Sequence, residues 1–197
     1  MHLGLMKNFL TLLLISVALG TQAQGNPEDY YYEIPEYPET YTPGAVAARL
    51  VDGLGFRYYW ATEGLRSEDL EYRPSAEARN VIETIDHIQG LTAILYTVTI
   101  KQEYKSQDLD GFSFEEKRNI TLENIRMASE NLKKGNINLD EMDMTFQSSG
   151  SSFPFWNLIN GPIADAINHV GQIITLRRTN GNPIHNKISV LRGTVFE

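Results

Sequence analysis

The chain has 197 residues, with 17 lysines and arginines against 25 aspartates and glutamates, and no cysteine. That length suffices for one domain with a full-sized core. A net charge of -8 with scattered basic residues excludes the clustered positive surface that nucleic-acid backbones require. The missing thiols exclude disulfides, a cysteine nucleophile and a lipid-modified cysteine.

Residues 1–23 read as a signal peptide. Lys7 supplies a positive start, Phe9 to Leu19 a short apolar run, and Thr21-Gln22-Ala23 a small-x-small cleavage site. The run is short for a transmembrane helix and lacks a stop-transfer pattern, so an uncleaved anchor is the weaker alternative. The expectation is an exported protein, periplasmic or secreted, beginning near Gln24 and not embedded in a membrane. His2 falls in the discarded segment.

Residues 24–43, which include NPEDYYYEIPEYPETYTP, combine proline, tyrosine and acid. The proline spacing forbids a regular helix and predicts an extended arm or linker. Its five tyrosines predict packing on the domain surface or on a partner subunit.

Four amphipathic helices are predicted next, in residues 44–197. The first runs from Pro43 to Leu65 with Thr42 as N-cap and Val46, Leu50, Leu54, Tyr58 and Ala61 as its inner stripe. Gly53 and Gly55 weaken it locally and allow a kink or a close approach. The second follows Ser75, taken as its N-cap, and reaches about Glu103, with Val81, Ile85, Ile88, Thr92 and Leu95 inward. The third begins after Phe112-Ser113, buries Ile120, Ile125, Ala128 and Leu132, and stops at Gly135-Asn136. A long connection then carries Ser148 to Ser152, read as a flexible linker, and the aromatic cluster Phe153 to Trp156. The fourth helix starts after Gly161-Pro162 and ends at Gly181, ahead of Pro183. The tail beyond it reads as a strap of strand-like composition. Short connections and one long crossover before the last helix predict an all-α fold, an up-down four-helix bundle.

Chemistry concentrates on the last helix. Asp165 and His169 stand four residues apart and project from one face. His87 lies between Ile85 and Ile88 on the inner side of the second helix. Two nitrogens and one oxygen from neighbouring helices make a set suited to zinc, nickel, iron or manganese, with coordination positions left open. The plain alternative is a hydrogen-bonded Asp–His pair beside a satisfied core histidine. Glu83, one turn before His87, is either a base or partner of that site or part of a solvated helix face. Arg177 and Arg178 either steer an anion or satisfy helix C-terminal carbonyls. Tyr58, Tyr59, Trp60 and Trp156 line a pocket or fill the core, and His185 is exposed. Gly-x-Ser-x-Gly, phosphate-loop and dinucleotide signatures are missing.

The helix leading from Arg73-Pro74-Ser75 to His87, together with His169-Val170-Gly171-Gln172-Ile173, Arg177-Arg178 and Gly181-Asn182-Pro183, resembles the DinB-like superfamily. The similarity spans roughly Thr42 to Pro183. It implies a four-helix bundle with a metal held by three histidines. His87 and His169 match two of these ligands, and the third falls at Asp165, so the resemblance implies a two-histidine, one-carboxylate variant or a site that has lost its metal. A homodimer is also implied. The leading expectation is a metal-dependent hydrolase of an unknown small molecule, with Asp165 as ligand or base and Gln172 orienting the site. The competing one is a non-catalytic binding or dimerisation module with a vestigial site.

Overall fold

The computed structural model describes residues 29–135 and 137–196. The signal-peptide reading, the start of the arm and Asn136 fall outside these residues. The chain is mostly helical. Helix α1 (Pro43–Thr62) starts at Thr42, whose hydroxyl accepts the Ala45 N–H at 3.1 Å. Short α2 (Ser67–Leu70) follows, then α3 (Val81–Thr99), α4 (Phe114–Leu132), short α5 (Phe155–Leu158) and α6 (Ala164–Thr179). Helices α1 and α3 each pack on both α4 and α6. Val51, Leu54, Ile85, Ile88, Ile125, Leu132, Val170 and Ile173 are buried between them. Among the described residues no helix is long and apolar enough to cross a membrane.

Several boundaries and one buried face differ from the sequence reading. Asn80, not Ser75, caps α3, because its side chain accepts the Glu83 N–H while Glu83 accepts the Asn80 N–H, at 2.9 and 2.8 Å. Helix α3 also stops earlier than expected, at Thr99. Val46 and Leu50 are exposed, and Ala47, Ala48 and Val51 take the buried face of α1. Most consequentially, the last helix does not begin at Gly161-Pro162. The backbone is already helical at Phe155 and passes through a π turn, Ile159–Ile163, into α6. Proline lacks the N–H that an α-turn needs, and a wider turn accommodates that loss without ending the helix.

Small sheets qualify the all-α expectation. Strands β1 (Met144–Thr145) and β2 (Ser152–Phe153) pair antiparallel, so Ser148 to Ser152 forms a hairpin end with Gly150 at φ +65° instead of a linker. Strands β3 (Ile188–Ser189) and β4 (Thr194–Val195) form a second hairpin from the tail.

The arm is docked rather than free. Tyr31 is 1% exposed, and its hydroxyl donates to Asp52 Oδ1 at 3.2 Å, while Lys133 Nζ holds Asp52 Oδ2 at 2.7 Å. The Tyr31 ring lies over Gly55, where an added Cβ would stand 2.5 Å from ring carbons. Farther along, the Ile34 N–H donates to Gly193 O at 2.8 Å, and Arg49 donates to Pro35 O at 2.8 Å. The tail hairpin thus closes over the arm.

A second polar cluster ties the ends of α1, α2 and α6 together. Buried Arg177 donates to the carbonyls of Ala61 and Glu63 at 2.9 and 2.8 Å, satisfying acceptors that the end of α1 leaves open, and to that of Asn182 just beyond α6 at 2.7 Å. Asp69 is fully buried and accepts from Arg66 Nε, Asn180 Nδ2 and Asn182 Nδ2 at 2.8, 2.8 and 2.7 Å. The Arg66 guanidinium, helped by the two asparagines, holds the Asp69 carboxyl well below the usual carboxylate range. A depressed folded pKa contributes stability that is complete above the unfolded value of about 4 and fades as pH falls toward the folded one. Asp69→Asn should therefore cost about 2 kcal/mol at pH 7. The gap to wild type should hold in urea titrations at about pH 5 and narrow at about pH 3. A gap of equal size at all three pH values would contradict this account.

Candidate metal centre

Helix α3 presents His87 and helix α6 presents Asp165 and His169 toward one another. His87 Nε2 lies 3.2 Å from Asp165 Oδ2, and His169 Nε2 lies 3.4 Å from Asp165 Oδ1. The two imidazoles meet edge to face with centroids 4.6 Å apart. One ligand atom from each of the three residues falls within 4.8 Å of the others. All three sequence-predicted residues are thus brought together, each half-buried.

The π turn preceding α6 contributes to this placement. An extra residue in the turn advances the phase of everything after it, and α6 enters with Asp165 as its second residue. From there the four-residue spacing keeps Asp165 and His169 on one face, against α3.

Gln172 is exposed and one turn beyond His169, and its Oε1 lies 2.8 Å from His169 Nδ1. An amide oxygen only accepts, so in this contact Nδ1 carries a proton, and in the neutral ring Nε2 is then the lone-pair atom. That lone pair faces Asp165 Oδ1, an acceptor, at 3.4 Å. Two electron-rich atoms converging in this way call for a cation between them, either a proton or a metal ion. Bond lengths of ~2.0–2.2 Å at tetrahedral angles place ligand atoms roughly 3.3–3.5 Å apart. The separations of 3.2 and 3.4 Å, each to a different Asp165 oxygen, suit hydrogen bonds and lie near that spacing, so the donor set could hold a divalent ion.

The cluster opens on two clefts. One, of about 630 Å³, takes its wall from Arg79, Thr84, His169 and Gln172. The other, of about 540 Å³, is lined by Leu91, Ile94, Phe146 and Asp165. Asn168 borders both. Open space beside the donors leaves room for water and a small molecule.

The remaining candidates fall elsewhere. Glu83 is committed to capping Asn80 and to Arg73 Nη2 at 3.3 Å, so it is a helix-start residue and not a base for His87. Arg177 satisfies backbone carbonyls, and Arg178 is exposed on α6. Tyr58 and Tyr59 are core, Trp60 donates to Tyr32 O at 3.1 Å, and Trp156 is exposed. His185 is exposed and stacks on Trp60. Reasoning from sequence did not single out Arg79, Asn168 or the hairpin residue Phe146, and no local spacing connects them to His87.

No protein-family model matches the chain, and no curated protein matches it in sequence.

Proposed function

We propose that this chain is an exported metal-dependent hydrolase of the DinB-like, up-down four-helix-bundle type, acting on a small molecule through a His87–Asp165–His169 site. The observation that carries the reading is the convergence of two imidazole nitrogens and a carboxylate at ligand spacing beside open clefts. The bundle topology rests on the packing of α1 and α3 against both α4 and α6. Zinc, nickel, iron and manganese all accept such a donor set. A divalent ion there would polarise a substrate oxygen and lower the pKa of a bound water. His87 and His169 hold the site from two helices, and Asp165 brings the negative charge. Gln172 acts as a positioning residue by fixing the proton of His169 on Nδ1.

A non-catalytic binding or dimerisation module is the second reading. It is supported by the exposed apolar residues Tyr37, Tyr41, Val46 and Leu191. Elemental analysis of the purified protein beside His169→Ala separates the two. Near-stoichiometric metal in wild type, lost in the variant, is expected. No metal in either sample and no thermal shift on adding one would sink the metalloenzyme reading.

A further inference from the structure

A third cleft lies on the other side of α6. Ile167 borders it, and Ile167 is two positions from both Asp165 and His169, roughly 200° around the helix from each. The cleft therefore has its own walls, assembled from the arm, α1, α6 and the tail hairpin. Tyr37, Val46, Leu50 and Leu191 supply apolar surface, and the volume is about 510 Å³, within the range of small-molecule sites. Val46 is 53% and Leu191 94% exposed, and with Tyr37 and Leu50 they border one cleft instead of lying scattered.

The charge of this cleft runs against that of the protein. Its walls include Arg49 and Arg57 and no acidic residue, although the chain carries eight more acidic than basic groups and five of its acids lie in the arm sequence. Among the described residues neither guanidinium makes a carboxylate contact. Arg49 donates to Pro35 O at 2.8 Å and lies over the Tyr37 ring, while Arg57 donates to Gly53 O at 2.9 Å. Partial burial of Arg57 without a counter-charge pulls its pKa down. Arg66 and Arg118, by contrast, are each held by carboxylates. A half-buried cation facing apolar walls is complementary to an anion that carries an apolar body.

We propose that this cleft binds an amphipathic carboxylate, its head on Arg57 and Arg49 and its alkyl chain along Val46, Leu50 and Leu191. The site is independent of the His87–Asp165–His169 cluster and needs no metal. It exists because the arm is folded back: Tyr31 in its slot and the Ile34–Gly193 bond hold the wall that carries Tyr37. This gives the docked arm a role beyond stability.

Isothermal titration of the purified chain with decanoate tests it, beside 1-decanol and decyltrimethylammonium as probes of equal chain length and different head charge. Saturable one-to-one binding of decanoate is expected, at least about ten-fold tighter than either control and weakened by added salt. Arg57→Gln should lose about ten-fold in decanoate affinity. Leu191→Asp, at a site too exposed to affect folding, should lose a similar factor by removing apolar wall and adding a repelling charge. Decanol binding as tightly as decanoate, decanoate affinity unchanged in Leu191→Asp, or no saturable heat at millimolar decanoate would each overturn the proposal.

Discussion

Tyr31→Ala should destabilise the chain by about 3–5 kcal/mol, an effect expected for a fully enclosed aromatic core residue and far outside the range for a surface linker. The ring is sealed between Gly55 and its neighbour Tyr30, whose ring meets it edge-on at 4.9 Å. Truncation opens a ring-sized void and removes one of the contacts on buried Asp52. Tyr31→Phe keeps the packing, and Asp52 keeps Lys133, so that variant should lose only about 1 kcal/mol. Gly55→Ala approaches the problem from the other side. A methyl 2.5 Å from the ring cannot coexist with the docked arm, so this conservative change should rival Tyr31→Ala. Urea titration of the three variants checks the order, and limited proteolysis within the arm should accelerate in Tyr31→Ala and Gly55→Ala alone. A Tyr31→Ala cost within about 0.5 kcal/mol would show that the arm contributes little to the fold.

The arm also marks where reading by sequence stops. Its proline spacing correctly forbids a helix, but nothing local reveals that Tyr31 fits over a glycine two dozen residues later, since that match exists only in three dimensions. Helix α1 poses a related problem. Ala45, Ala47, Ala48, Val51 and Leu54 cover about half of its circumference with small or apolar groups, so Val46 and Leu50 beside them extend a plausible stripe that burial does not honour. Other misreadings had a usable signal. Asn80 followed by Glu83 is a capping box, whereas Ser75 has alanine at the corresponding position, Ala78. Pro162 obeys the usual rule for a helix start, yet Phe155 to Leu158 is already helical and the π turn absorbs the proline. His87, Asp165 and His169 were legible because each rests on strong periodicity: the isoleucines flanking His87 set its direction, and the four-residue spacing sets the other two. Their meeting across α3 and α6 depends on helix packing. The clefts beside them depend on Arg79 and on the β1–β2 hairpin, for which no sequence pattern stands in.

Asp165→Asn should weaken divalent-metal binding by at least about 100-fold, while Asp165→His should keep binding and change its preference. The first substitution preserves shape and one oxygen but removes the only negative charge in the donor set. Neighbours of metal ligands alone typically alter affinity by about 10–100-fold, so a ligand should exceed that. In the present geometry each Asp165 oxygen serves a different imidazole, Oδ2 toward His87 and Oδ1 toward His169. A histidine at 165 has one nitrogen to offer at a time and no charge, which produces the three-nitrogen set that the proposed DinB-like reading implies. Imidazole favours zinc and nickel, and carboxylate favours manganese, so Asp165→His should shift the selectivity toward zinc and nickel over manganese. Competition dialysis against equimolar zinc, nickel and manganese, read by elemental analysis, measures both effects at once. Unchanged metal content in Asp165→Asn would remove Asp165 from the ligand set. It would leave His87 and His169 as an edge-to-face pair without the carboxylate the proposed chemistry requires. A selectivity shift in Asp165→His together with loss in Asp165→Asn would identify the carboxylate as the feature that sets which metal this protein carries.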